Sequence, residues 1–129
     1  MKKVATLLLF ALITLGGMAQ SSKNVTLESG PKLFVQVNGS YTCELMFSWT
    51  LTADEKQSLV DFCNANNFSS SFPKSKPEKT KMTITVPEAY ANAAVIGKMI
   101  HGLSIDWVII PNGKKTEKLS LDQFNTKYH

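Results

Sequence analysis

Residues 41–51, YTCELMFSWTL, alternate almost without a fault. Tyr41, Cys43, Leu45, Phe47, Trp49 and Leu51 share one side, and Thr42, Glu44, Met46, Ser48 and Thr50 the other. A period of two marks a strand with one buried and one solvated face. Upstream, Leu33, Val35 and Val37 alternate with Phe34 and Gln36 and run into Asn38-Gly39, the strongest short-range hairpin signal. A two-residue loop would set Val37 against Ser40 and Val35 against Thr42, one strand's apolar side against the other's polar side. A slip by one sets Val37 against Tyr41, Val35 against Cys43 and Leu33 against Leu45. Because such a slip flips every side chain, the apolar pattern favours the second register, with a three-residue Asn38-Gly39-Ser40 loop or a bulge beside the turn.

Around this hairpin the chain reads as alternating elements. Val25 to Pro31, VTLESGP, suggests a short edge strand stopped by Gly30-Pro31. Thr52-Ala53-Asp54-Glu55 is a capping box that opens a helix from Ala53 to about Ala65, with Leu59, Phe62 and Cys63 on one face. Asn64, Asn66 and Asn67 end it. Residues 68–80, FSSSFPKSKPEKT, form a polar loop. Lys81 to Val86 alternates as a strand, and Pro87 is placed to start an apolar helix that reaches His101, with Gly102 as its left-handed cap. Ser104 to Ile110 is dense in Ile, Trp and Val and reads as an interior strand. Pro111-Asn112-Gly113 turns the chain into a solvated run, Lys114 to Lys118. Ser120-Leu121-Asp122-Gln123 then opens a short last helix carrying Leu121, Phe124 and Tyr128. The expectation is an α+β fold: a two-layer sandwich whose mixed or antiparallel sheet of four or five strands carries helices on one face.

The N-terminus reads as an export signal, residues 1–19. Lys2 and Lys3 precede a short apolar run, Val4 to Leu15, and Gly16-Gly17-Met18-Ala19 supplies small residues for cleavage after Ala19. The run is shorter than the roughly 20 residues a spanning helix needs, so no membrane span is expected after cleavage. Residues 20–129 then form a single small domain, periplasmic or secreted. The chain carries fourteen lysines and ten acids, a net +4; without Lys2 and Lys3 the balance falls to +2. It contains no arginine. Guanidinium is the preferred fork for phosphate and guanine edges, so nucleic acid is set aside as a partner.

Candidate chemistry is sparse. Cys43 lies on the inward face of its strand and Cys63 on the inward face of the first helix. In an oxidising compartment they are expected to form a disulfide, closing a loop of about 20 residues worth ~3 kcal/mol. Neither has the helix N-terminus or cationic neighbour that makes a thiol reactive. The two histidines, His101 and His129, form no short-spaced ligand pair, and no calcium-loop or phosphate-loop pattern occurs. No metal or other cofactor is expected. Asp106, inside an apolar strand, and His101 are the candidates for acid–base work; Asp106 is expected on the polar sheet face, in phase with Val108 and Ile110.

Two surfaces stand out instead. One is the polar sheet face of Thr42, Glu44, Met46, Ser48 and Thr50, with Thr83, Thr85 and the Val108–Ile110 phase beside it. The other is the basic loop of Lys74, Lys76, Lys79 and Lys81, suited to an acidic partner, an anionic glycan or an anionic membrane surface. The reading that follows is an exported, non-enzymatic binding module of the bacterial envelope, meeting a protein or envelope component. A small envelope enzyme around Asp106 and His101, or a carrier of a small apolar ligand, are the alternatives.

Overall fold

A computed structural model describes residues 22–75 and 78–128. The expected signal segment, 1–19, and Lys76 lie outside these residues. The elements in chain order are β1 (Asn24–Leu27), β2 (Val35–Val37), β3 (Ser40–Phe47), α1 (Ala53–Ala65), β4 (Ser69–Ser71) and β5 (Thr80–Val86). They are followed by α2 (Ala93–Ile100), β6 (Trp107–Asn112), β7 (Lys115–Leu119) and α3 (Leu121–Tyr128). The α+β class is as expected, but the sheet is larger: among the described residues seven strands form one open sheet, in the order β4-β5-β3-β1-β6-β7, with β2 also paired to β3. It is mixed, because β1 runs parallel to β6 while the other pairs are antiparallel.

The hairpin takes the register that the apolar pattern argued against. Val37 faces Ser40 and Val35 faces Thr42 across a two-residue loop. Asn38 and Gly39 both have positive φ, 51° and 83°, as the type I′ turn requires, and that turn matches the twist of the strands it joins. Turn chemistry therefore wins over hydrophobic phase. The cost is two exposed valines, Val35 at 46% and Val37 at 50%. Leu33 and Phe34 supply the core in their place, both buried, through a short 3-10 helix at Gly30–Lys32 and a sharp bend at Leu33, whose φ is +66°.

Four more expectations change. The first strand is not at an edge: β1 lies between β3 and β6 and buries Val25 and Leu27 completely. Pro87 does not open the second helix. A 3-10 turn at Glu88–Tyr90 follows it, and Asn92 caps α2, its Oδ1 accepting from the Val95 N–H at 3.1 Å; a short polar side chain outcompetes Pro for that role here. The left-handed residue after α2 is Ser104, φ 57°, rather than Gly102. The lysine-rich run near the C-terminus is the edge strand β7, whose charged side chains guard an unpaired edge.

Both capping boxes form as read. Thr52 accepts from the Glu55 N–H and Glu55 Oε1 from the Thr52 N–H; Ser120 and Gln123 make the same reciprocal pair. Asn67, φ 60°, ends α1 in a Schellman arrangement, with the Phe68 N–H donating to the Cys63 carbonyl at 2.8 Å. The buried side chains of the sheet (Val25, Leu27, Leu45, Phe47, Met82, Ile84, Val86, Val108, Ile110) join those of the helices (Leu59, Ile96, Ile100, Phe124) in one cluster. No helix among the described residues is long and apolar enough to cross a membrane.

Candidate functional site

Burial alternates strictly along the inner strands. On β3, Cys43, Leu45 and Phe47 are buried while Thr42, Glu44 and Met46 are half-buried; on β5, Met82, Ile84 and Val86 are buried while Lys81, Thr83 and Thr85 are half-buried. The half-buried set, extended by exposed residues on the outer strands, forms rows across the sheet, because paired residues point the same way. One row runs Ser69, Thr85, Thr42, Val35. The next runs Ser71, Thr83, Glu44. A third crosses five strands: Lys81, Met46, Thr26, Ile109, Lys118.

The face mixes hydroxyls, apolar groups and a few charges. The hydroxyls of Thr42 and Thr85 lie 3.4 Å apart. Lys81 pairs with Glu44 at 3.8 Å, and the Lys118 ammonium sits 4.6 Å from the centre of the Trp107 ring. At one end, Glu28, Ser29, Val35, Val37, Thr42 and Glu44 line a groove of about 290 Å³.

Of the residues singled out in sequence, Thr42, Glu44 and Met46 belong to this face. Ser48 is occupied structurally: its Oγ accepts from the Asn24 N–H at 2.9 Å and donates to the Ser22 carbonyl at 3.2 Å. Thr50 lies beyond the strand and is exposed. Val108 and Ile110 are fully buried, so they leave the face; Trp107 and Ile109 take their place one residue out of phase. The basic group divides, since Lys74 and Lys79 are exposed loop residues while Lys81 is on β5 with Glu44 as its partner. Sequence reasoning missed Thr26, Val35, Val37, Trp107, Ile109 and Lys118. For the two valines the Asn-Gly pair carried the signal, because a two-residue loop dictates their side.

The expected disulfide is not formed. Cys43 and Cys63 are both free, buried thiols, and facing elements do not by themselves bring two Cα atoms to bonding range. Burial pushes the Cys43 thiol up from 9.0 to about 12, and the neighbouring Glu44 carboxylate adds to the effect. Burial also raises Cys63, partly opposed by a hydrogen bond with Ser70. A thiol held neutral is a poor nucleophile at neutral pH.

Asp106 and His101 do not assemble a site. The Asp106 carboxylate accepts from the Lys23 N–H at 2.8 Å, and its own N–H donates to the Lys23 carbonyl at 2.8 Å. This ties the entry of β1 to the entry of β6. Asp106 is exposed and off the sheet face on which it was expected. His101 is exposed in a 3-10 turn after α2, beside a shallow pocket of about 250 Å³ lined also by Ala94, Gly97, Lys98 and Asn125, to which Asp106 does not contribute. Among the described residues no three His, Cys, Asp or Glu side chains are grouped to hold a metal ion.

Comparison with protein-family models, with curated proteins and with solved structures gave no match.

Proposed function

We propose that the chain is an exported, non-enzymatic binding module of the bacterial envelope that meets a protein or envelope component with the half-exposed face of its sheet. In this reading the fold is a two-layer sandwich: the three helices lie on the buried side and leave the other side open. Two features support it. All fully buried sheet residues join the helical side chains in one cluster, and α1 packs on α2 and α2 on α3. The export reading rests on Lys2-Lys3, the short apolar run and the small residues ending at Ala19, and it puts the mature protein in the periplasm or outside the cell.

The observation that carries the binding reading is the composition of the open face. Met46, Ile109, Val35 and Val37 share it with Thr26, Thr42, Thr83 and Thr85, and the hairpin turn forces the two valines onto it. Its apolar groups give a partner area to bury, and the hydroxyls among them give it hydrogen-bonding groups to pair. The enzymatic alternative has no comparable support, since the Asp106 carboxylate is already engaged by the Lys23 backbone.

The test is partner recovery. Thr83→Arg with Thr85→Arg places bulk and charge on half-exposed positions, so the protein should stay folded while recovery of its partner from the envelope falls. Asp61→Asn, on the exposed side of α1, should leave recovery unchanged. Undiminished recovery by the folded double variant would reject the open face as the contact.

A further inference from the structure

The groove at the end of the open face owes its existence to an irregularity in chain path. β1 and β2 lie end to end along the same edge of β3: Leu27 pairs with Leu45, and Val35 with Thr42. On β3 only Cys43 and Glu44 separate those partners, whereas residues 28–34 separate them on the other side. The surplus chain cannot remain in the sheet. It dives toward the core, where Leu33 and Phe34 are buried, and the place it vacates on the open face is the groove.

We propose, resting on the open-face reading above, that this groove receives a lysine or arginine side chain from an extended segment of a partner protein. Charge complementarity points to the cation. Two of the six lining residues are glutamates and none is a lysine, in a chain where lysines outnumber acids. The Glu28 side chain has no hydrogen bond or ion pair among the described residues, and Glu44 meets Lys81 only at 3.8 Å. The exposed Val35 and Val37 offer an apolar wall to the methylene stem that such a side chain carries.

Backbone chemistry points to an extended protein segment rather than a free amine. Val37 and Ser40 flank a two-residue loop, so they exchange both ladder hydrogen bonds, and the alternation of an antiparallel pair turns the Gln36 N–H and C=O away from β3. Among the described residues no strand pairs with that side of β2. An incoming strand can hydrogen-bond there while every second side chain drops toward the groove.

The test is amide chemical-shift mapping of the isotope-labelled protein with a capped pentapeptide, Val-Lys-Val-Lys-Val, and its counterpart with glutamate in place of lysine. The lysine peptide should move the signals of Ser29, Gln36, Val37 and Thr42, and the glutamate peptide should not. Glu28→Gln combined with Glu44→Gln should weaken binding at least about tenfold, the loss expected for charge-assisted contacts, with the remaining spectrum unchanged as proof of folding. Glu28→Gln alone, on an exposed turn, should show a smaller loss in the same direction. Equal binding of the glutamate peptide, or identical shifts at equal affinity from spermidine or calcium alone, would overturn the assignment. Shifts confined to Thr83, Thr85 and Ile109 would overturn the groove while leaving the open face standing.

Discussion

Val35 stands directly across the hairpin from Thr42, and the two side chains share one face of the sheet. That relationship separates a buried β2 from an exposed one, and it sets what substitutions there will do.

Val35→Thr and Val37→Thr should each change stability by no more than about 0.5 kcal/mol, the usual range for surface positions, because threonine keeps the β-branch. Leu33→Ala should cost about 2–5 kcal/mol, as for a buried leucine. Denaturant titration of the three variants reads the difference directly. A large loss at Val35, comparable with that at Leu33, would mean the slipped register.

Gly30 and Gly39 both have positive φ, 73° and 83°, but their surroundings differ. A Cβ at Gly39 meets nothing, whereas one at Gly30 comes within 2.9 Å of the Pro111 carbonyl oxygen. Gly39→Ala should therefore cost about 1–2 kcal/mol from backbone conformation alone, and Gly30→Ala should cost more. Equal losses in urea melts would show that the 3-10 turn does not press on β6.

What could be read in the chain depended on how local its cause was. Thr52 with Glu55 and Ser120 with Gln123 are self-contained over four residues, and both helices start where those residues place them. The half-buried alternation of Thr42, Glu44 and Met46 followed from the period of two alone. The position of β1 inside the sheet did not, because it depends on parallel pairing with β6 some eighty residues later. Val35 and Val37 posed two local signals in conflict, apolar phase and turn type. The conflict was settled by residues 28–34, which relieve the hairpin of any need to bury its valines. Asn92 was hidden behind Pro87, since either can begin a helix and only the extended backbone at Pro87, ψ 159°, decides between them.

The two cysteines give a pH dependence with a defined sign. Cys43 has a folded value of about 12 against 9.0 unfolded. Its contribution to stability is therefore complete below pH 9 and is lost as pH rises from there toward 12, because the unfolded chain releases its proton first. Each such group adds a slope of at most about 1.4 kcal/mol per pH unit in that window. Cys43→Ala should flatten part of the decline in denaturation midpoints between pH 9 and 10.5; parallel curves for the two proteins would contradict this. In unreduced protein, two thiols should titrate in denaturant and neither rapidly in buffer. A count of zero in denaturant would restore the bridge.

Photo-crosslinking from single positions separates the two sides of the molecule most directly. A benzophenone side chain placed at Thr83 or Thr85 samples the half-exposed sheet face, and one at Ser58, exposed on α1, samples what the proposed arrangement makes the helical side. In cells making the protein, a discrete crosslinked partner is expected from Thr83 and Thr85 and none from Ser58. The same partner from Ser58 alone, or equal capture from both sides, would contradict the open sheet face as the binding surface.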